Sequence, residues 1–197
     1  MTALRADTLL CAYSVGIFPM ANDRDDDEIF WVEPKKRGII PLDGFRVPRS
    51  LRKVVRQGRF EVRFDHAFEA VIRGCAESVP DRPRTWLNDD LIDAYCDLAR
   101  HGHAHSVECW REDRLVGGLY GVAMGGAFFG ESMFSRETNA SKVALVHLVE
   151  RLRARGFALL DSQFMTDHLR QFGGTEVDRD HYRRLLRTAL LTHARFA

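Results

Sequence analysis

Long apolar runs are missing from this 197-residue sequence, and so is any segment that reads as a secretion signal. Met1 to Leu10 hold no apolar core of signal-peptide length, and no stretch approaches a transmembrane span. A cytoplasmic protein without membrane attachment is therefore expected. Cysteine is sparse, and Cys11, Cys75, Cys96 and Cys109 stand singly, with no C-x-x-C pair. Such spacing excludes a zinc ribbon and a secreted disulfide framework, and points to reduced, mostly buried thiols. Lysine is scarce too: of 29 basic residues only Lys35, Lys36, Lys53 and Lys142 are Lys. Arginine's planar fork suits phosphate and carboxylate, so the bias is compatible with anionic partners, although a GC-rich genome yields the same usage. No internal repeat or low-complexity tract is present.

What is present is the balance of a globular chain, 45% apolar and 29% charged with a net charge of +1, which excludes a disordered or collagen-like protein. The length suffices for one full domain plus a small appendage, not for two ordinary domains. Residues 6–15 form a short helix stopped at Gly16, followed by the apolar Ile17-Phe18-Pro19-Met20. The acidic run from Asn22 to Glu28 reads as a solvated loop. Short strands are expected near 29–32 and 37–41. Pro48 begins a helix of roughly 48–57. A strand at 60–64 precedes a helix capped by Asp65, and Asn88 caps another ending at His101-Gly102. Apolar strands near 104–110, 115–123 and 126–131 are separated by turns at Glu112-Asp113-Arg114 and Gly125-Gly126. Asn139 opens the longest helix, which Gly156 closes. A strand at 157–161, a short helix to Gln171, a further strand and a basic helix at 179–193 complete the chain.

From residue 60 the order β-α-α-β-β-β-α-β-α resembles the GNAT-type acyltransferase fold, an α+β architecture whose mixed sheet splays between its fourth and fifth strands. Three features converge on that opening: Gly130-Glu131-Ser132-Met133-Phe134-Ser135, Asn139-Ala140-Ser141-Lys142 at a helix start, and Leu160-Asp161-Ser162-Gln163. Alternation along a strand turns Asp161 and Gln163 the same way. A carboxylate beside an amide can hold and deprotonate an amine nucleophile. The helix start offers free N–H groups to a phosphate. On spacing alone, Asp161 as an ordinary loop cap and Glu131 as a surface acid are the favoured readings.

These runs, together with Gly16-Ile17-Phe18-Pro19-Met20, Gly102-His103-Ala104-His105-Ser106-Val107-Glu108 and Leu115-Val116-Gly117-Gly118-Leu119-Tyr120-Gly121, resemble the leucyl/phenylalanyl-tRNA–protein transferases. The blocks occur in the family's order and span about residue 8 to residue 175. The resemblance implies transfer of Leu or Phe, and less readily Met, from its tRNA to a protein N-terminal Arg or Lys, marking the acceptor for degradation. It further implies Asp161 and Gln163 as the catalytic pair, with Asp161 drawing the amine proton directly or through Gln163. Glu131 and Ser132 would help hold the donor. The side-chain pocket would involve Met20, Trp86, Leu119, Phe128, Met133 and Leu160. An aminoacyl ester is already activated, so no cofactor and no metal are expected. The family's architecture implies a small, reduced N-terminal domain over residues 1–35 contributing to the pocket and a GNAT-type catalytic domain over 36–197, in a monomer. Met20 and Thr166 stand where some members carry Trp and Asn.

Arg46, Arg49, Arg52, Lys53, Arg56, Arg59 and Arg63 crowd one segment against the single acid Glu61. Arg49, Arg52, Lys53 and Arg56 fall on one helical face, either a solvated face or a docking surface for the tRNA backbone. Two other patterns carry less. His101, His103 and His105 alternate without a second ligand cluster. Arg153-Ala154-Arg155-Gly156-Phe157-Ala158 matches an acyl-CoA pattern at a helix end, where no pyrophosphate could be cradled. The rivals are an acetyl-CoA-dependent N-acetyltransferase, which needs a phosphate loop before Asn139, and a non-catalytic tRNA-binding module, which needs no Asp161-x-Gln163 pair.

Overall fold

Gly16 ends the first helix by turning left-handed, at a φ of 88°, a conformation glycine adopts without a side-chain clash. The computed structural model describes residues 4–78 and 84–197. Within them the order is α1 (Ala6–Ser14), β1 (Phe18–Ala21), β2 (Ile29–Val32), β3 (Lys36–Ile39), α2 (Arg49–Arg56), β4 (Glu61–Phe64), α3 (Phe68–Ala76) and α4 (Asp89–Arg100). There follow β5 (Ala104–Arg111), β6 (Arg114–Met124), β7 (Ala127–Ser135), α5 (Ala140–Ala154), β8 (Leu159–Gln163), α6 (Asp167–Arg170), β9 (Thr175–Asp178) and α7 (Arg179–Leu190).

The expected elements are present with small shifts at their ends, and the local chemistry explains most of them. Glu112 and Asp113 take φ of 50° and 57° between paired Arg111 and Arg114, the left-handed turn that matches strand twist. Asn88 caps α4 by accepting the Leu91 N–H at 2.9 Å. Asp65 does not cap α3 as expected. Its carboxylate accepts the Ser106 N–H at 2.9 Å and bonds His105 at 2.9 Å, while buried Glu108 reaches across from β5 to accept the His66 and Ala67 N–H groups at 2.9 and 2.7 Å. A carboxylate from a neighbouring strand thus satisfies the N–H of the N-cap residue Ala67 and of the residue before it. The run Ile17 to Met20, read only as apolar, forms β1 because it finds a partner in β2.

Among the described residues β4-β5-β6-β7-β8-β3-β9 form one sheet and β1-β2 a separate ribbon. Only β7 and β8 run parallel, joined through α5 as a parallel pair requires. The α+β architecture with a mixed sheet is the one expected. α5 covers one face, with α2 packed beside it, while α3, α4, α1 and α7 cover the other. Val143, Leu145, Leu148, Val149 and Leu152 of α5 are buried, each worth about 1.5–3 kcal/mol. On the opposite face α7 contributes Tyr182, Leu186 and Ala189, a spacing that keeps one helical stripe on the core. No helix among the described residues is long and apolar enough to cross a membrane.

Candidate active site

β7 and β8 pair only from Ala127–Phe129 to Leu159–Asp161. Beyond that point each strand carries an irregularity. On β7, Tyr120 pairs with Ser132 and Gly121 with Gly130, so Glu131 has no partner on β6. On β8, Ile39 pairs with Asp161 and Gly38 with Gln163, so Ser162 is left over. A bulge bends its strand and redirects a side chain. The bends part the strands and open a cavity of about 370 Å³. Gln163 adopts a φ of 56°, a conformation that costs a residue with a side chain roughly 1–3 kcal/mol. The chain here lies against Gly38, where an added Cβ would fall 2.7 Å from the Phe164 carbonyl carbon. Glycine is the residue that allows this approach.

A chain of polar side chains runs through the opening. The Tyr13 and Tyr95 hydroxyls bond each other at 2.6 Å, and Tyr95 donates to Glu131 Oε2 at 3.2 Å. Gln163 Nε2 donates to Glu131 Oε1 at 2.8 Å, and the Gln163 backbone N–H donates to Asp161 Oδ1 at 2.8 Å. Asp161, fully buried, also receives Arg37 Nε at 2.9 and 3.1 Å, Arg37 Nη2 at 2.7 Å and the Tyr182 hydroxyl at 2.5 Å. Arg37 in turn donates to the Gly16 carbonyl at 2.9 Å and lies between the Phe18 and Tyr182 rings, 4.6 Å from each centroid. Burial of the Glu131 carboxyl pushes its pKa up to about 8, against the opposing effect of the Tyr13 and Tyr95 hydroxyls. The residue is half-buried and keeps part of its surface on the cavity. Burial, then the Glu131 charge, raises Tyr95 well above an ordinary tyrosine, so its hydroxyl remains a neutral donor.

One side of the cavity is formed by Phe18, Met20, Trp86 and Tyr120 with Arg84 at its margin, the other by Ile40, Leu119, Met133, Leu145, Leu148, Leu160 and Leu169. Ser132 lies with Glu131, Asp161 and Gln163 along the opening. Of the residues expected in the pocket, Phe128 is absent. It is fully buried, its ring stacked 5.3 Å from Phe196 and edge-on to Phe157 at 6.5 Å. Its strand neighbour Leu160 forms the wall instead. Thr166 lines the cavity, but its hydroxyl accepts the Leu169 N–H at 3.3 Å and caps α6. Three buried polar atoms have no partner among the described residues, Tyr120 OH, Ser162 Oγ and His168 Nε2, and all three residues line this cavity. Unmet polar atoms on a cavity wall are poised for a ligand's polar groups.

Arg37, Tyr13, Tyr95 and Tyr182 were not singled out from the sequence. Arg37 sits in a short strand, Lys36–Ile39, and Tyr182 in a basic helix, and neither has a local spacing signal. Arg49, Arg52, Lys53 and Arg56 are exposed on α2, and among the described residues none pairs with an acid. Arg52 donates to the Val47 carbonyl at 3.3 Å, whereas Arg63 is committed to Glu61 and Asp113. α2 packs on α5, so its basic face belongs to the layer that carries the apolar wall. His105 is engaged by Asp65 and His101 Nδ1 by the Asp97 carbonyl at 2.8 Å, so the alternating histidines do not converge. Arg153 of the acyl-CoA-like pattern donates to the Leu42 carbonyl at 2.7 Å, a structural bond.

The family model described as leucyl/phenylalanyl-tRNA protein transferase matches residues 39–187, and the one for that family's N-terminal domain matches residues 2–35. A leucyl/phenylalanyl-tRNA–protein transferase of Rhizorhabdus wittichii is 63% identical over 190 residues, covering 96% of this chain and 77% of the relative. Its counterpart in Paramagnetospirillum magneticum is 56% identical over 196 residues, covering 100% of this chain and 94% of the relative. Among solved structures, L-PGS from Bacillus licheniformis aligns with a TM-score of 0.45 at 13% identity, covering 83% of this chain and 55% of that one. A ribosomal-protein-alanine N-acetyltransferase from Brucella melitensis aligns with a TM-score of 0.36 at 14% identity, over 51% of this chain and 76% of that one.

Proposed function

The chain belongs to the leucyl/phenylalanyl-tRNA–protein transferase family, and from that premise we propose how its cleft carries out aminoacyl transfer. The enzyme is an aminoacyltransferase that moves Leu or Phe, and less readily Met, from aminoacyl-tRNA to the N-terminal Arg or Lys of an acceptor protein, marking it for degradation. The observation that carries the reading of the site is the parting of β7 from β8, which joins a buried polar chain to an apolar wall in one cavity.

The apolar wall of Leu119, Met133, Leu145, Leu148 and Leu160 takes the donor side chain, with Met20 and Trp86 closing the pocket from the opposite side. Burying a Leu or Phe side chain there is favourable, whereas a charged side chain would lose its hydration without a partner. Glu131 and Ser132 face the aminoacyl-adenosine. Asp161 fixes Gln163, and the Gln163 side-chain carbonyl is left free to hold the attacking amine. The ester is an activated acyl donor, so neither metal nor cofactor is needed, and orientation of two substrates supplies much of the rate. Arg49, Arg52, Lys53 and Arg56 on α2 contact the tRNA backbone, which positions without reading sequence. Residues 1–35 act as a small N-terminal domain that completes the pocket of the 36–197 catalytic domain. The enzyme works as a cytoplasmic monomer.

The decisive experiment is a transfer assay with charged tRNA and an Arg-initiated acceptor peptide. Leu and Phe should appear at the peptide N-terminus. Acetyl transfer from acetyl-CoA, or tRNA binding with no transfer, would refute the reading.

A further inference from the structure

The transferase reaction needs a group to take a proton from the acceptor's amine, and hydrogen-bond capacity in the cleft restricts which group that is. A carboxylate offers about four lone-pair positions. On Asp161 those positions are filled by Arg37 Nε, Arg37 Nη2, the Tyr182 hydroxyl and the Gln163 N–H, with no exposed surface left. Gln163 is an amide and does not accept a proton at neutral pH. With Glu131 ionised its orientation is also fixed, because turning the amide over would set its oxygen against the Glu131 carboxylate. Glu131 is different. It accepts hydrogen bonds from Tyr95 and Gln163, with the Tyr13 hydroxyl as a third partner, and lines the cavity with one of about four lone-pair positions to spare.

Resting on the transferase reading, we propose that Glu131, not Asp161, takes the proton from the acceptor's α-amine and hands it to the departing ribose oxygen. The neutral amine nitrogen bonds to the ester carbonyl carbon and gives up one proton to the Glu131 carboxylate. When the tetrahedral intermediate collapses, the bond from carbon to the ribose oxygen breaks and that oxygen receives the proton. The products are an amide and a free ribose hydroxyl, and Glu131 ends as the carboxylate it began as. The bulge that leaves Glu131 without a β6 partner brings it into the opening. Tyr95, backed by Tyr13, and Gln163 hold its two oxygens, so they are positioning residues.

The groups facing Glu131 support this role. Tyr13 of α1, Tyr95 of α4 and Tyr120 of β6 are neutral hydroxyls raised chiefly by burial. The charged neighbours are Asp161 of β8, which raises its pKa, and Arg37 of β3, which lowers it. Tyr182 of α7 is also raised by burial. Together they hold Glu131 near the range of an α-amine, about 7.7–8.0, where proton exchange between the two is closely matched.

The test is the pH dependence of single-turnover transfer from leucyl-tRNA to two acceptor peptides whose α-amines differ in acidity. In the wild type, one rising limb should follow the peptide and a second should stay fixed. Glu131→Gln should abolish the fixed limb and lower the plateau rate roughly 100- to 10,000-fold, while leucyl-tRNA binding changes only a few-fold. Glu131→Asp should recover part of the rate and keep the fixed limb, and so should Asp161→Asn at reduced rate. The proposal is overturned if Glu131→Gln keeps the fixed limb, or if its whole defect lies in donor binding. Loss of the fixed limb in Asp161→Asn alone overturns it as well. Failure of the transferase reading looks different, because the wild type itself would then transfer nothing.

Discussion

Arg37 and Asp161, 124 residues apart in the chain, form a two-pronged ion pair in which both side chains are sealed from solvent, at 1% and 0% exposure. The pair ties β3 to β8 at the mouth of the cleft, and through Gly16, Phe18 and Tyr182 it also holds the N-terminal segment and α7. Removing one partner strands a buried charge. Arg37→Met should therefore destabilise the protein by roughly 3–5 kcal/mol, read as a lower midpoint in urea unfolding. Arg37→Lys should restore only part, because a point charge cannot bond both carboxylate oxygens as the fork does. A midpoint unchanged in Arg37→Met would show that the pair contributes little.

Asp161 accepts the Gln163 N–H, and on the proposed reading it acts on the chemistry through that residue. Asp161→Ala should lower transfer by at least about a hundredfold, the scale of disturbing proton transfer in the site. Binding of aminoacyl-tRNA should stay nearly unchanged. Turnover at the wild-type rate would remove Asp161 from the mechanism.

The cavity wall and the layer behind it should respond differently. Leu160→Ala enlarges the pocket and should weaken Leu transfer by roughly 1–3 kcal/mol of transition-state binding. Phe128→Ala empties a core site against Phe157 and Phe196, so its main effect should be a stability loss of roughly 3–5 kcal/mol. Melting curves beside Leu and Phe transfer rates separate the two. A folded Phe128→Ala enzyme with full stability and altered donor preference would return Phe128 to the pocket wall.

Local runs at strand ends made Glu131, Asp161 and Gln163 visible in the sequence, because alternation and the β-α-β order bring the ends of β7 and β8 together. The partners that determine what these residues can do were not visible. Arg37 and Tyr182 reach Asp161 through tertiary packing, which no local periodicity encodes. Phe128 had its strand assigned and its pocket place only from the family resemblance; alternation gives a face and not a depth, and the covering ring belongs to Phe196 near the chain end. Asp65 was given the capping role by adjacency to the helix. Glu108 instead holds the N–H groups of His66 and Ala67 at the helix entry from across the sheet, a pairing set by strand register.

The buried carboxyl of Glu131 should leave a mark on stability. The unfolded chain ionises Glu131 near its ordinary 4.5, whereas the fold keeps it protonated up to about pH 8. The unfolded state thus binds fewer protons across that window, and wild-type stability should fall as pH rises from about 4.5 to about 8. Glu131→Gln removes this loss. Thermal unfolding should give the mutant little advantage at pH near 4.5 and the largest advantage above about pH 8. A constant offset between the two proteins across the range would argue against a raised carboxyl.

The basic face of α2 can be separated from the chemistry by salt and by substrate size. Arg49, Arg52, Lys53 and Arg56 are exposed and free of acidic partners among the described residues. Each phosphate they neutralise releases counterions, so binding of full tRNA should weaken with salt along a log–log slope of roughly −2 to −4 for about three to five contacts. Arg49→Ala with Arg56→Ala should flatten that slope by about one to two units. The double mutant should also raise the apparent KM for full tRNA. An aminoacylated adenosine lacks the tRNA backbone these side chains would contact, so its transfer should be little changed. Equal losses on both donors would mean that α2 supports the cleft structurally and does not dock tRNA.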